Sequence, residues 1–466
     1  MRRAVIFCTM GLALAACTSG GTDPAPSEQP PTQTSAGSTP SPTTGPITPP
    51  VPDWPTYHGD AARTGMSRVL PTPTGALHTT AVNLDAAMYA SPIVGAGVTI
   101  AATENNSVYG LDASGRPLWR AQLGPPARRS DLPCGNIDPS GITATPAYDP
   151  ASGSVFVVTE QRDPVRHELV ALDVRTGATR WHVSVDLPGA DPRAMQERGA
   201  LAVAGGRVWV PFGGRDGDCG DYKGRLVGVR LDGTGAAVDY TVPTIREGGI
   251  WAPAGPVVDP AGQLYVAVGN GEAGTGDRYD FSDSVLKIDP STVKLLDSFS
   301  PRSWQSDNGA DLDLGSQGPA LVDERWVFIA GKSGTGYVLR QNALGGIGGE
   351  VSSLELCRSF GGPAVAGDVV YVPCADGVRA VRIDASGTMR VLWHAEQSIA
   401  GSPVLGGSRV WSLDQDAGRL HALDPVTGRS TLDVAVGDVT RFATPALHGN
   451  QVLVPTRAGL VVVTVS

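Results

Sequence analysis

The chain has 466 residues, a net charge of −10 and only 18% charged side chains. An acidic chain lacks the basic surface that neutralises phosphates, which argues against nucleic acid as a partner. Gly (60) and Pro (38) are abundant, and no long stretch carries apolar residues at helical spacing. A helical bundle, a coiled coil and a doubly wound α/β fold are therefore excluded in favour of many short strands with Gly-rich turns.

Arg2 and Arg3 precede an apolar run over residues 4–16, which is too short to span a bilayer as a helix. It ends in Leu14-Ala15-Ala16-Cys17, which resembles the lipobox of bacterial lipoproteins. The resemblance implies a signal peptide over 1–16 and a Cys17 that becomes the acylated (palmitate-bearing) N-terminus. Residues 18–52 hold 10 Pro, 13 Ser or Thr and 4 Gly. Such a segment cannot bury enough apolar surface to fold, so 17–52 reads as the lipidated cysteine and a disordered tether. The expected location is the outer face of the cell membrane or the periplasmic side of a bacterial envelope.

A globular domain is predicted over 53–466. Within it a small-small-Pro-apolar motif recurs in chain order: ASPIV at 90–94, ATPAY at 144–148, a degenerate GALAV at 199–203, AGPVV at 254–258, QGPAL at 317–321, GGPAV at 361–365, GSPVL at 401–405 and ATPAL at 443–447. Behind each copy come two or three further β-rich runs, such as SVFVVTE and ELVALD. Four short strands per period of 40–63 residues mark a β-propeller blade. The prediction is an all-β, eight-bladed β-propeller of four-stranded antiparallel blades, with seven blades as the alternative if the degenerate copy is not a blade. The eighth copy leaves room for only three strands before Ser466, so residues 76–84 (ALHTTAVNL) are assigned as its outer strand, closing the ring. Trp119, Trp181 and Trp393 fall in fourth strands and are expected between blades.

The Asp-x-x-Thr-Gly-x-x-x-Trp step at 173–181, the Pro-bearing inner strands and the entry segment 53–65 (DWPTYHGDAARTG) resemble the PQQ-repeat, quinoprotein-type propeller superfamily. That group holds both PQQ-dependent alcohol dehydrogenases and the non-catalytic, BamB-like lipoproteins.

In an antiparallel blade the second-to-third strand turns and the blade-to-blade connections share one face. The long insertions, 124–142, 212–224, 269–283 and 300–316, are all of those two kinds, so one face is elaborated, as binding faces are. They carry oxygen ligands suited to Ca2+ or a polar molecule, among them Asn270, Asp311 and Asp313. His58, His167 and His394 are isolated from one another and show no zinc-ligand spacing. Gly331–Gly336 (GKSGTG) lacks the full phosphate-loop pattern and reads as a turn within blade 5. Four cysteines remain in the body, which allows three pairings. Cys134 and Cys219 share the acidic loops, and Cys357 precedes the sixth inner strand while Cys374 ends the strand after it on the same face, so 134–219 and 357–374 are the pairs expected.

Two functions follow. One is an extracytoplasmic, lipid-anchored binding or scaffold module, monomeric, taking a protein or polar small molecule on the long-loop face. The alternative, implied by the resemblance, is a PQQ- and Ca2+-dependent dehydrogenase oxidising an alcohol or sugar. On that reading Trp251 is the floor under the quinone, Asn270 a cation ligand and Asp313 the base; Glu160 stands near, but out of register with, a further cation ligand. No adjacent Cys-Cys pair accompanies them. The sequence favours the binding module, with a modest stabilisation by Ca2+ and no dehydrogenase activity.

Overall fold

The computed structural model describes residues 51–466 apart from Gln397, so the signal, Cys17 and most of the tether lie outside the described residues. Within them no helix is long and apolar enough to cross a membrane. The strands form eight blades of four antiparallel strands around a central axis, two of them with a short added strand, Met195–Gln196 in blade 3 and Gly346–Ile347, which pairs in parallel, in blade 4. Blade 1 is Ile93–Gly95, Val98–Ala102, Ser107–Leu111 and Pro117–Gln122. The degenerate copy is a true blade: Ala202–Ala204 pairs with Arg207–Gly214, followed by Arg225–Arg230 and Val238–Thr241. This fixes the number at eight. Blade 8 consists of Ala446–His448, Gln451–Thr456, Gly459–Thr464 and, as its outer strand, His78–Asn83, in register from His78 opposite Thr464 to Asn83 opposite Gly459. The ring thus closes by joining the two ends of the domain.

The inner prolines sit one residue ahead of the paired strand. Pro92 precedes Ile93–Gly95, and Pro445 precedes Ala446–His448. A residue without an N–H is harmless where the ladder has not yet begun. Inner and second strands are buried apart from residues at some of their ends and Val203, whereas most outer strands alternate, as Thr179–Ser184 does. This is what strands that pack between blades inside and face water outside require.

The Asp-x-x-Thr-Gly step is a seat for the neighbouring blade. Asp173 Oδ1 accepts the N–H groups of Arg175 and Thr176, fixing a turn whose Gly177 has φ +70°. A Cβ there would overlap the Trp119 ring of blade 1. That indole donates its N–H to Val174 O at 3.1 Å. Trp181 repeats the contact on Leu231 O (3.2 Å) and Trp393 on Pro425 O (2.8 Å). These three tryptophans are the inter-blade contacts expected of them.

The entry segment is a floor under the ring. The backbone of residues 54–65 bonds to the lower ends of five inner strands: Trp54 with Val94, Pro55 with Tyr148, Ala61 with Val258, Thr64 with Val365 and Gly65 with Leu405. Arg63 is buried and donates to Tyr57 O, Pro256 O and Leu201 O, so carbonyls rather than a carboxylate surround its charge. Tyr57 packs with Ala200 and Ala254 and reaches Thr444 Oγ at 3.2 Å. With blades 3, 4 and 8 all touching it, Tyr57 stands on the axis.

Candidate ligand cavity

On the opposite face a cavity of about 540 Å3 opens on the axis. Apart from Gly214 at a strand end, its walls come from second-to-third strand turns and blade-to-blade connections, the long loops supplying Asn136, Asn270, Asp311 and Asp313 among others. Disulfide Cys134–Cys219 pins the connection between blades 1 and 2 to the long turn of blade 3. Disulfide Cys357–Cys374 joins blades 5 and 6 on the same face. Cys357, Cys374 and Asp376 form the one cluster of three metal-ligand types among the described residues, and the disulfide consumes its sulfurs.

Trp251, Asn270, Asp311 and Asp313 meet at one wall. Asp313 is 6% exposed. Its Oδ1 accepts the Trp251 indole N–H (3.2 Å) and the Asn270 backbone N–H (2.9 Å). Its Oδ2 accepts Asn270 Nδ2 (3.2 Å) and lies 2.6 Å from Lys332 Nζ. Gly269 permits this approach, because a Cβ there would overlap Asp313. Lys332 Nζ also lies 2.6 Å from Asp311 Oδ1, which accepts Asn270 Nδ2 at 3.0 Å. Burial pulls the Lys332 ammonium down, but Asp313 and Asp311 outweigh it and hold its pKa above the usual lysine value.

Ca2+ does not fit this arrangement. The ammonium of Lys332 already bridges the two carboxylates. Asn270 turns its NH2 to them, leaving its oxygen buried without a partner. A cation ligand set would present that oxygen. Glu160 is likewise engaged: it is 3% exposed, accepts the guanidinium of buried Arg215 and takes the Ser140 hydroxyl at 2.7 Å. Two protein cations thus stand at the carboxylates for which the sequence suggested a metal.

Sequence reasoning placed Lys332 in a turn without a role and passed over Arg215, Arg198, Arg441 and Phe442. A signal for two of these, Arg198 and Phe442, was present. The residue just before each small-small motif is Tyr89, Thr143, Arg198, Pro253, Ser316, Phe360, Ala400 or Phe442, and all but Ser316 line one of the axial cavities.

Behind the wall, among the described residues, are two buried acids that form no ion pair, with Arg198 near enough to favour the Glu104 charge weakly. Glu104 is 1% exposed; its Oε2 accepts Gly141 N–H (2.7 Å) and the Thr143 hydroxyl (3.1 Å), and its Oε1 has no partner. Burial pushes its pKa up to about 8. Neither oxygen of buried Glu197 has a partner, and burial together with Glu104 raises it too. The folded protein therefore holds a proton on Glu104 that the unfolded chain releases above about 4.5. Stability from this group is complete at low pH and is lost as pH rises towards 8. Glu104→Gln cannot ionise, so its melting temperature should fall less than that of the wild type between pH 5 and 8.5. Parallel melting curves for the two proteins would show that Glu104 carries no such proton.

Floor, closed ring and axial cavity define an eight-bladed propeller of the PQQ-repeat class. Residues 73–282 and 290–464 match the family described as outer membrane protein assembly factor BamB, and the chain belongs to that family. Its fold is similar to BamB from Moraxella catarrhalis (19% identity, TM-score 0.56, 84% of this chain and 97% of that one). It is also similar to quinohemoprotein alcohol dehydrogenase from Comamonas testosteroni (18%, TM-score 0.66, 89% and 80%). A europium-containing methanol dehydrogenase aligns over 89% of this chain and 98% of its own (15%, TM-score 0.67). No curated protein sequence matches the chain.

Proposed function

We propose that this protein is a lipid-anchored extracytoplasmic binding module that takes a protein or polar small molecule at its cavity face and performs no dehydrogenase chemistry. The observation that carries the reading is Lys332 seated between Asp311 and Asp313. The four donors on Asp313 use both its oxygens, leaving none turned free toward a substrate hydroxyl. Membership of a family described as an assembly factor supports a binding role, and two disulfides support export to an oxidising compartment. Asp53 anchors the start of the described body on the floor side, its carboxylate accepting Ala96 and Gly97 N–H. An anchor joined there leaves the cavity mouth clear of its point of attachment.

A PQQ- and Ca2+-dependent dehydrogenase with Asp313 as base is favoured by one observation, the meeting of Trp251, Asn270 and Asp313 at a single cavity. Calorimetry after chelation and Ca2+ re-addition, followed by an alcohol-dependent dye assay with added PQQ, separates the two. On the binding-module reading the melting temperature is unchanged by Ca2+ and no dye is reduced. Ca2+ stabilisation and dye reduction that both vanish in Asp313→Ala would establish the dehydrogenase instead.

A further inference from the structure

The cations of the cavity are not equivalent. Lys332 is matched by Asp311 and Asp313, Arg215 by Glu160 and Arg457 by Asp438 at 3.4 Å. Among the described residues, Arg198 and Arg441 have no carboxylate at ion-pairing distance. Arg441 makes no side-chain hydrogen bond; its guanidinium is stacked over Phe360 (4.4 Å to the ring centre) and Phe442 (5.5 Å). Its backbone is held by Gln415, whose amide donates to Arg441 O. Arg198 lies over the same Phe442 ring at 5.6 Å and has one side-chain bond, to Gln196 Oε1 at 3.0 Å.

Two guanidiniums gathered on one aromatic ring repel each other. Burial acts most strongly against the charge on Arg198; Asp216 and Glu104 favour it from a distance, and Arg441 opposes it. Stacking leaves the N–H edge of Arg441 unspent and that of Arg198 with a single bond, to Gln196, and such edges match a two-oxygen anion. Asp218 is committed to the Tyr222 hydroxyl at 2.5 Å and Glu247 to Arg246 at 2.6 Å, and Asp216, whose charge favours that of Arg198, stands beyond ion-pairing distance of it.

We propose that Arg198 and Arg441, stacked on Phe442, are the seat for one oxyanion group, a carboxylate or phosphate, of a small organic ligand whose body lies along the Trp251 wall. This deepens the binding-module reading and rests on it, naming the ligand chemistry of the same cavity. Arg198 and Phe442 also line the water-sized void of about 20 Å3 above Tyr57, while Arg441 is exposed, so the seat runs from the cavity's inner end towards its mouth.

The test is titration calorimetry of the folded domain with inorganic phosphate, phenyl phosphate and benzoate at constant ionic strength. Chloride serves as the control for screening. Wild type should bind an oxyanion, with phenyl phosphate or benzoate tighter than a bare ion. Arg441→Ala should weaken binding at least tenfold. Arg441→Lys should fail to restore it, because an ammonium keeps the charge but loses the planar fork and the stack. Melting curves verify that the variants fold. No binding by wild type, or equal binding by wild type and Arg441→Ala, overturns the proposal. Either result leaves the binding-module reading to stand or fall by the Ca2+ and dye experiment.

Discussion

Removing residues 53–85 should abolish cooperative folding. The deletion takes away the whole outer strand of blade 8, six residues in continuous register, and leaves Gly459–Thr464 as an open edge beside blade 1. It also removes the floor, with buried Trp54, Tyr57 and Leu70, and the backbone bonds to five inner strands. A large apolar side chain contributes roughly 1.5–3 kcal/mol on burial. Three of these and a lost strand together approach the roughly 5–15 kcal/mol by which an ordinary domain is stable. The truncated protein should aggregate through its exposed edge and show no sharp melting transition. Size-exclusion chromatography and calorimetry check this. A monomer with the parent melting temperature would mean that the ring is held shut by something other than its closing strand.

The second large effect concerns location. On the proposed lipoprotein reading, Cys17→Ala deprives the precursor of its acylation and cleavage site. The protein should then move almost wholly from the detergent phase to the aqueous phase in phase separation, and should retain residues 1–16 by mass. The propeller is remote in sequence from the change, so its melting temperature should be unaffected. Equal partitioning of mutant and parent would remove the lipid anchor from the account.

The fold was legible because it repeats. Pro92 through Pro445 recur between small residues and a short apolar strand, and the Gly177 and Gly428 turns recur because each receives a tryptophan ring from the blade before. Even the copy that lost its proline, at 199–203, kept the small residues that crowding at the axis demands. The closing strand could be read from the shortness of the last blade. The cavity was harder. Asn270, Asp311 and Asp313 stand in long loops on the correct face, and residue types alone suggested a cation among them. What no spacing could reveal is that Lys332, from the next blade and 19 residues beyond Asp313 in the chain, brings the charge itself. Arg215 does the same for Glu160 across 55 residues. Charges that meet across a ring are distant in sequence and leave no local pattern. The floor was missed for a related reason: DWPTYHGDAARTG has no periodicity, because its partners are strand ends spread around the circle.

Tyr57 turns the propeller from a tube into a cup. With the axis stoppered below, a molecule at Arg198 and Arg441 leaves by the route it entered, and nothing can push it out from behind. Capture and release then share one gateway, bordered by loops that the Cys134–Cys219 bond ties together. Anything large that docks on the rim becomes a lid for whatever lies beneath. Two occupants of this cavity must therefore depart in reverse order of arrival, the inner one waiting on the outer, and the residence time of a small ligand becomes a property of the partner seated above it.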